Sequence, residues 1–154
     1  MSGTVRWGRR TAALVLVAAV ASVTALSASA TVTGGATVKA RATSLGRIVV
    51  NAQGRSLYLF EKDRRGKSAC YGQCAQYWPP LLTRGKPVAG MGVKAKLLGV
   101  TRRRNGTMQV TYAGHPLYRY VLDARAGQTT GEGSTLFGAG WDVLAPSGKK
   151  IESD

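Results

Sequence analysis

Acidic residues are scarce in this chain, and their scarcity determines its charge. Seven Asp and Glu stand against 22 Lys and Arg among 154 residues, which gives a net charge of +15. An excess of this size bears on solubility and on association with anions rather than on fold. In a cytoplasmic protein it would first suggest nucleic acid as the partner.

Cysteine and histidine are also rare, which narrows the chemistry available. The two cysteines, Cys70 and Cys74, form a C-x3-C pair. This is not the C-x2-C of thioredoxin-like redox pairs, and no second Cys or His pair completes a four-ligand zinc site. In an exported chain such a pair is normally oxidised, which predicts a structural disulfide. A loop this short contributes only about 2 kcal/mol, so the bond shapes a local turn.

Sustained helical periodicity is missing from residue 45 onward. Short segments rich in aromatic and β-branched residues occur instead, bounded by Gly, Asn, Asp or Pro, which predicts strands. The predicted strands are 48–50, 57–60, 108–112, 117–121 and 141–144. Residues 51–54 and 112–116 are predicted turns, and Asn105-Gly106 predicts a type I′ hairpin. At most one short helix is expected, near 73–77, stopped by Trp78-Pro79-Pro80.

The first thirty residues have the three-part layout of a secretory signal peptide. Arg6, Arg9 and Arg10 precede an apolar or small run over 11–26, and Ala-Ser-Ala at 28–30 offers the small residues that a signal peptidase reads. We predict cleavage after Ala30. A retained anchor is the weaker alternative, because a spanning helix needs roughly 20 predominantly apolar residues. No cysteine follows the run, which excludes lipid attachment there.

The remaining chain is expected to form one domain. Removing residues 1–30 from the 154 leaves 124, enough for a single core. Residues 31–44 are small and polar and predict a flexible lead-in. A single β-rich domain is predicted over 45–154, built from two repeats at about 45–90 and 91–151.

Export changes the expected partner. Cleavage would remove three basic and no acidic residues, leaving a charge of +12. Outside the cell the abundant polyanions are envelope phosphates, teichoic-type polymers and anionic lipid head groups, so these replace nucleic acid as predicted partners. A solvated basic surface without a dedicated partner is the alternative, since net charge alone does not define a site.

An internal repeat is the most informative feature of the sequence. Residues 54–63 align without a gap to 114–123, and both copies read G-x-x-L-Y-x-aromatic-x-x-D. Strand alternation places Tyr58 and Phe60 on one face, and Tyr118 and Tyr120 on the matching face. Arg119 should not be buried, so the aromatic faces are expected to point inward. Two such hairpin units predict an all-β, mainly antiparallel pseudo-twofold sandwich or half-open barrel.

These motifs resemble a bacterial family described as a secreted repeat of unknown function, or as predicted lipoproteins with a Tyr-x-aromatic-x-x-Asp motif. The chain also carries C-x3-C-A-x-x-W-P-P over 70–80 and, later, G-x-G at 131–133, Trp141 and P-x-G at 146–148. The resemblance covers roughly residues 45–151. It implies export and envelope association and no settled activity. Lipid tethering is not implied for this chain, which lacks the lipidation cysteine.

Asp63 and Asp123 close the two motif copies and allow two interpretations. They could serve a metal or a reaction, or they could accept hydrogen bonds from the turn that follows each strand. The second interpretation is favoured, because each aspartate is duplicated together with the motif that surrounds it. The motif tyrosines are likewise expected in the core rather than on a ligand-binding face, as are Trp78 and Trp141.

His115 is the single histidine and the weak candidate for a metal ligand. Its available co-ligands are Asp63, Asp123, Met91, Met108 and the cysteines if reduced. These ligand types allow an alternative function in redox chemistry or metal handling, but the spacing of the residues in the sequence does not support a site. No metal or other cofactor is predicted. A Ser-His-Asp set could be drawn from Ser56 or Ser134, but no G-x-S-x-G elbow exists. The sequence therefore predicts no catalytic residues and no enzyme.

Arg102, Arg103 and Arg104 adjoin the predicted hairpin turn and are the candidate anion-contacting residues. The alternative is a soluble tip that protects a strand edge. The leading hypothesis is an exported, envelope-associated, non-catalytic β protein that binds anionic envelope components.

Overall fold

Short strands dominate the part of the chain that the computed structural model describes, residues 2–4 and 34–152. Almost all of the predicted signal peptide lies outside those residues, so its prediction stays a prediction. The elements are β1 (Thr37–Thr43), β2 (Gly46–Asn51), β3 (Tyr58–Phe60), α1 (Gln73–Tyr77), β4 (Val88–Ala89), a 3-10 turn (Ala95–Leu97), β5 (Leu98–Arg102), β6 (Met108–Tyr112), β7 (His115–Pro116) and β8 (Trp141–Val143).

The strands form three small sheets, ordered β2-β1-β4, β3-β8 and β5-β6-β7. All pairings are antiparallel except that of β1 with β4. The β3-β8 pair joins the two halves of the chain, with Phe60 opposite Trp141 and Tyr58 opposite Val143. The predicted mainly antiparallel β fold is confirmed, in a sandwich-like form whose described sheets do not close into a barrel.

Two apolar clusters form the core. One contains Ile48, Tyr58, Phe60, Cys70, Trp78, Tyr118 and Trp141, and the other contains Val38, Val49, Leu57, Leu59, Tyr112, Leu117 and Leu144. Both faces of β3 are therefore buried, because Leu59 packs in the second cluster while its neighbours pack in the first. No helix among the described residues is long and apolar enough to cross a membrane.

The predicted short helix is confirmed at α1, with the same bounds. It ends because Trp78 precedes Pro79, and a residue before proline disfavours the helical conformation. The prediction of a flexible lead-in over 31–44 was wrong for much of that range, because residues 37–43 form β1, the central strand of its sheet. Its small side chains hid a strand whose Val38 is fully buried.

Two further local predictions were wrong in detail. Residues 117–121 form no regular strand: Tyr118 makes isolated bridges to Tyr58 and Pro80, and the chain then turns. The β5-β6 hairpin exists, but only Gly106 has a positive φ there, so its loop is not type I′. Both residues of the β6-β7 turn, Ala113 and Gly114, have positive φ, as a type I′ turn requires.

Candidate functional site

The two motif copies bind each other through their tyrosine backbones. The N–H of Tyr58 donates to the carbonyl of Tyr118 at 2.9 Å, and the N–H of Tyr118 donates back to the carbonyl of Tyr58 at 3.0 Å. Exchanging the two motif copies converts each of these hydrogen bonds into the other. The pair therefore lies where a pseudo-twofold axis relating the repeats is expected.

The tyrosine hydroxyls cross between the copies to the motif aspartates. Tyr58 Oη donates to Asp123 Oδ2 at 2.6 Å, and Tyr118 Oη donates to Asp63 Oδ2 at 2.8 Å. The other carboxylate oxygen of each aspartate accepts a backbone N–H from the following turn, from Ala69 at 2.7 Å and from Thr130 at 2.9 Å. Each aspartate thus organises its own turn, as the sequence suggested, and also joins the two repeats.

Burial perturbs the ionisation of these pairs. Desolvation raises the pKa of the half-buried Asp63 carboxyl to about 6, against the lowering effect of the Ala69 and Tyr118 hydrogen bonds and the Arg103 charge. Desolvation and the adjacent carboxylates raise the pKa of both the Tyr58 and Tyr118 phenols. Both tyrosines therefore remain protonated donors at any physiological pH.

Four aromatic rings stack between the copies. Phe60 lies on Trp141 with centroids 4.0 Å apart, Trp141 lies on Trp78 at 4.0 Å, and Trp78 lies on Tyr120 at 4.2 Å. Phe60 and Tyr120 therefore each stack on the tryptophan of the other copy, whereas Tyr58 and Tyr118 pack edge-on against the tryptophan of their own copy. The predicted inward aromatic face is confirmed for Tyr58, Phe60 and Tyr118, which are buried; Tyr120 is half-buried.

The Gly-Glu-Gly stretch at 131–133 supports this stack. A side chain on Gly131 would come within 2.6 Å of the Trp78 ring, so only glycine fits there. Glu132 Oε2 accepts the backbone N–H of Val143 at 2.7 Å. The two indoles differ in their hydrogen bonding. Trp141 Nε1 donates to the Leu136 carbonyl at 2.8 Å, whereas Trp78 Nε1 has no partner among the described residues.

The candidate metal ligands do not all come together at one site. His115 and Asp63 line one open groove of about 780 Å3, whereas Asp123 lines another cavity of about 380 Å3. Met91 is 85% exposed and lines neither. No group of three or more His, Cys, Asp or Glu side chains in the described part of the chain is placed to hold a metal ion. Burial lowers the pKa of His115.

The predicted disulfide between Cys70 and Cys74 is present. Its loop contains Tyr71, whose ring lies beside the arginines of the β5-β6 hairpin. The guanidinium carbons of Arg103 and Arg104 are 4.4 and 3.9 Å from the ring centroid, and the Arg104 N–H donates to Tyr71 Oη at 3.1 Å. Burial alone would raise the pKa of Tyr71, but this bond and the Arg103 charge bring it below its usual value.

The three arginines, all predicted as candidate anion-contacting residues, have different environments. Arg103 is only 4% exposed and donates to Ser68 Oγ, Gln109 Oε1 and the Cys70 carbonyl at 2.7–2.8 Å. These bonds satisfy a buried charge, so its role is partly structural. Arg102 and Arg104 are exposed. A residue beside a hairpin turn can point inward, and the sequence spacing did not distinguish the three.

A basic groove of about 600 Å3 lies between these segments, and we call it the Tyr71 groove. Its lining is Lys67, Ser68, Ala69, Tyr71, Arg102, Arg103 and Arg104. Four of the seven residues are cationic and none is acidic. Neither Lys67 nor Tyr71 was predicted as a site residue from the sequence. The run of basic residues over 64–67 was a signal, but its apposition to 102–104 depends on the tertiary fold.

Three of the acidic residues are grouped around Lys150. Glu61 and Glu152 form ion pairs with Lys150 at 2.8 and 3.4 Å, and Asp142 interacts electrostatically with the same lysine. Lys150 is the only cation of residues 34–152 in an ion pair. Residues 64–122 contain eleven Lys and Arg and no acidic residue. Asp63 interacts electrostatically with Arg103, whereas Lys67, Arg102 and Arg104 form no ion pair within residues 34–152, so their charge is not neutralised by the protein itself.

Comparison with known proteins agrees with the repeat in the sequence. A family model described as a secreted repeat of unknown function matches residues 39–82 and 99–145, one segment for each copy. No curated protein and no solved structure matches the chain.

Proposed function

Because the chain belongs to the family of secreted repeats of unknown function, we propose that it is a non-catalytic extracytoplasmic protein that associates with the cell envelope by binding phosphate-bearing anionic polymers. The Tyr71 groove is the binding site in this proposal. The observation that carries it is a groove with four cations and no carboxylate in its lining.

The groove offers both fixed and adaptable positive charge. The buried Arg103 is held by three hydrogen bonds and supplies a stationary positive charge in the groove lining. Arg104 is exposed but lies over the Tyr71 ring, a cation-π contact that restricts its side chain before any ligand binds. Less conformational entropy is then lost on binding.

Guanidinium groups suit phosphate, because their planar donors form paired hydrogen bonds to two oxygens. Arg102 and Arg104 are the residues free to do this, and Lys67 adds a third exposed charge. The Debye length is about 8 Å at physiological salt, so these cations act only on a partner in near contact. Binding should therefore be strong at low salt and fade as ionic strength rises.

The experiment compares the wild type with the double variant Arg102→Gln/Arg104→Gln in binding to a teichoic-type polymer over a salt series. The matched control is Lys94→Gln/Lys96→Gln, which removes the same charge from exposed positions outside the groove. The groove variant should bind more weakly than the control, with an unchanged melting temperature, because exposed charges contribute little to stability.

Anionic vesicles, tested in parallel, separate a polymer from a lipid surface as the source of phosphate. Equal loss of binding in the two variants would contradict the groove as the site. Salt-independent binding, or no binding at any ionic strength, would remove the proposal and leave the charge as a determinant of solubility.

A further inference from the structure

A second groove lies between two sheet edges and shares no lining residue with the Tyr71 groove. It has a volume of about 390 Å3, within the range of ligand-binding clefts. Its walls include Ala89 of β4 and Leu98, Gly99 and Val100 of β5. Each of these strands lies at the end of its sheet, since β4 pairs only with β1 and β5 only with β6.

The backbone of β5 presents unused hydrogen-bonding groups along this edge. Arg103 donates to Thr107, and Ala113 donates to Leu97, which fixes the alternation of the β5-β6 ladder. In that alternation Val100, opposite Val110, is a non-hydrogen-bonded position whose N–H and carbonyl point away from β6. Neither group has a backbone partner in residues 34–152. An open edge of this kind can pair with another extended chain.

Ala89 has the corresponding arrangement on the opposite wall. Val88 and Gly90 donate to the carbonyls of Ala36 and Val38 of the β1 segment, so the backbone groups of Ala89 between them point away from β1. The groove is thus bordered by free backbone groups on both sides.

The side chains of the groove combine an apolar surface with positive charge. Its apolar lining residues are Pro87, Ala89, Ala95, Leu98, Val100 and Met108. Arg84 and Lys86 are its charged residues, both exposed, and no acidic residue lines it. An occupant should therefore place apolar groups inside and negative charge outside.

We propose that this groove binds an extended acidic peptide segment of a partner protein, which adds as a strand to the free edge of β5. Alternate side chains of a strand point to opposite faces, so apolar residues of the peptide enter the groove while its carboxylates reach Arg84 and Lys86. Pairing with a second copy of this chain is disfavoured, because two basic edges would meet. The proposal concerns a different surface and does not depend on the Tyr71 groove.

The experiment measures binding of a fluorescent six-residue peptide of alternating glutamate and valine by fluorescence anisotropy. Two control peptides have the same charge: one is N-methylated at alternate residues, and the other has its glutamates and valines in separate blocks. N-methylation removes the strand-pairing donors but keeps the carboxylates. The N-methylated peptide should bind about tenfold more weakly or worse, the effect of losing one or two net hydrogen bonds.

Variants of the protein locate the site. Val100→Pro removes the outward N–H without breaking a hydrogen bond of the β5-β6 ladder, a substitution that edge strands accommodate, whereas Val100→Ala shortens the side chain and retains the N–H. We expect Val100→Pro to weaken binding of the alternating peptide and Val100→Ala to affect it less. Arg84→Gln/Lys86→Gln should also weaken it, and Arg119→Gln/Arg125→Gln, which removes the same charge from exposed positions outside the groove, should weaken it less.

Three outcomes would overturn the proposal. The N-methylated or blocked peptide could bind as well as the alternating one, which would indicate charge attraction alone. Val100→Pro could fold normally and bind normally. The protein could form dimers that dissociate in the Val100→Pro variant, which would show that a second copy of the chain occupies the groove. The peptide comparison uses the wild type, so it decides the question even if a variant fails to fold.

Discussion

Replacing Tyr58 by phenylalanine tests whether the crossed tyrosine-aspartate bonds hold the repeats together. The change removes one hydroxyl and leaves the ring, which packs edge-on against Trp78 at 5.2 Å between centroids. Asp123 loses the 2.6 Å bond from Tyr58, and the Gly131 N–H loses its 3.3 Å acceptor. Two buried groups are left with fewer partners.

The magnitude follows from the charge on the acceptor. A hydrogen bond to a charged group contributes about 1.5–3 kcal/mol to stability, more than one between neutral groups. Asp123 keeps the bonds from the Thr130 N–H and hydroxyl, so the loss should lie near the lower end, at about 2 kcal/mol. In a domain of this size that lowers the melting temperature by roughly 5–10 °C.

The assay is the free energy of unfolding from denaturant titration, with Tyr120→Phe as the matched control. The Tyr120 ring also belongs to the aromatic stack, but none of the hydrogen bonds within residues 34–152 involves its hydroxyl. Its loss should change stability by less than about 0.5 kcal/mol. A double-mutant cycle of Tyr58→Phe with Asp123→Asn isolates the pair. If Tyr58→Phe proves as mild as Tyr120→Phe, the cross-copy bonds do not hold the repeats together.

Three further outcomes are expected. Gly131→Ala should lower the melting temperature clearly, because its methyl group would collide with the Trp78 ring, whereas Gly34→Ala, with open space around it, should be nearly neutral in the same thermal scan. The Asp63 carboxyl has a pKa of about 6 in the fold and about 3.9 when unfolded, so the free energy of unfolding should fall as the pH rises from about 4 to about 6, and Asp63→Asn should make that slope shallower, while Glu132 and Asp142, whose pKa values burial also raises, maintain part of it. Mass spectrometry of a non-reduced digest should find Cys70 and Cys74 linked, and two free thiols would contradict the structure.

Periodicity and local turn chemistry were enough to predict much of the fold. The bounds of α1 were predicted from the Trp-Pro-Pro sequence that ends it. The inward direction of the aromatic face was predicted because the aromatic residues of the second copy alternate with a charged residue, Arg119, that should not be buried. The strand at 37–43 was missed because most of its side chains are small or polar and only Val38 is buried. Composition therefore resembled that of a linker.

The contacts between repeats could not be predicted in the same way. The internal repeat identified Tyr58, Tyr118 and both motif aspartates, but each copy by itself is compatible with a tyrosine bonded to its own aspartate. That the bonds cross depends on how the copies face each other, which no single motif contains. The inward turn of Arg103 and its apposition to Tyr71 are likewise consequences of tertiary structure.

The most direct test of the proposed function is to locate the bound anion on the protein. Backbone amide spectra of the labelled protein are recorded during titration with short-chain polyphosphate at low salt. We expect the largest and saturable shifts at residues 67–71 and 102–104, with small shifts at 94–96, and reversal of these shifts when salt is added. Shifts spread evenly over all exposed cations, or centred away from the Tyr71 groove, would contradict the account.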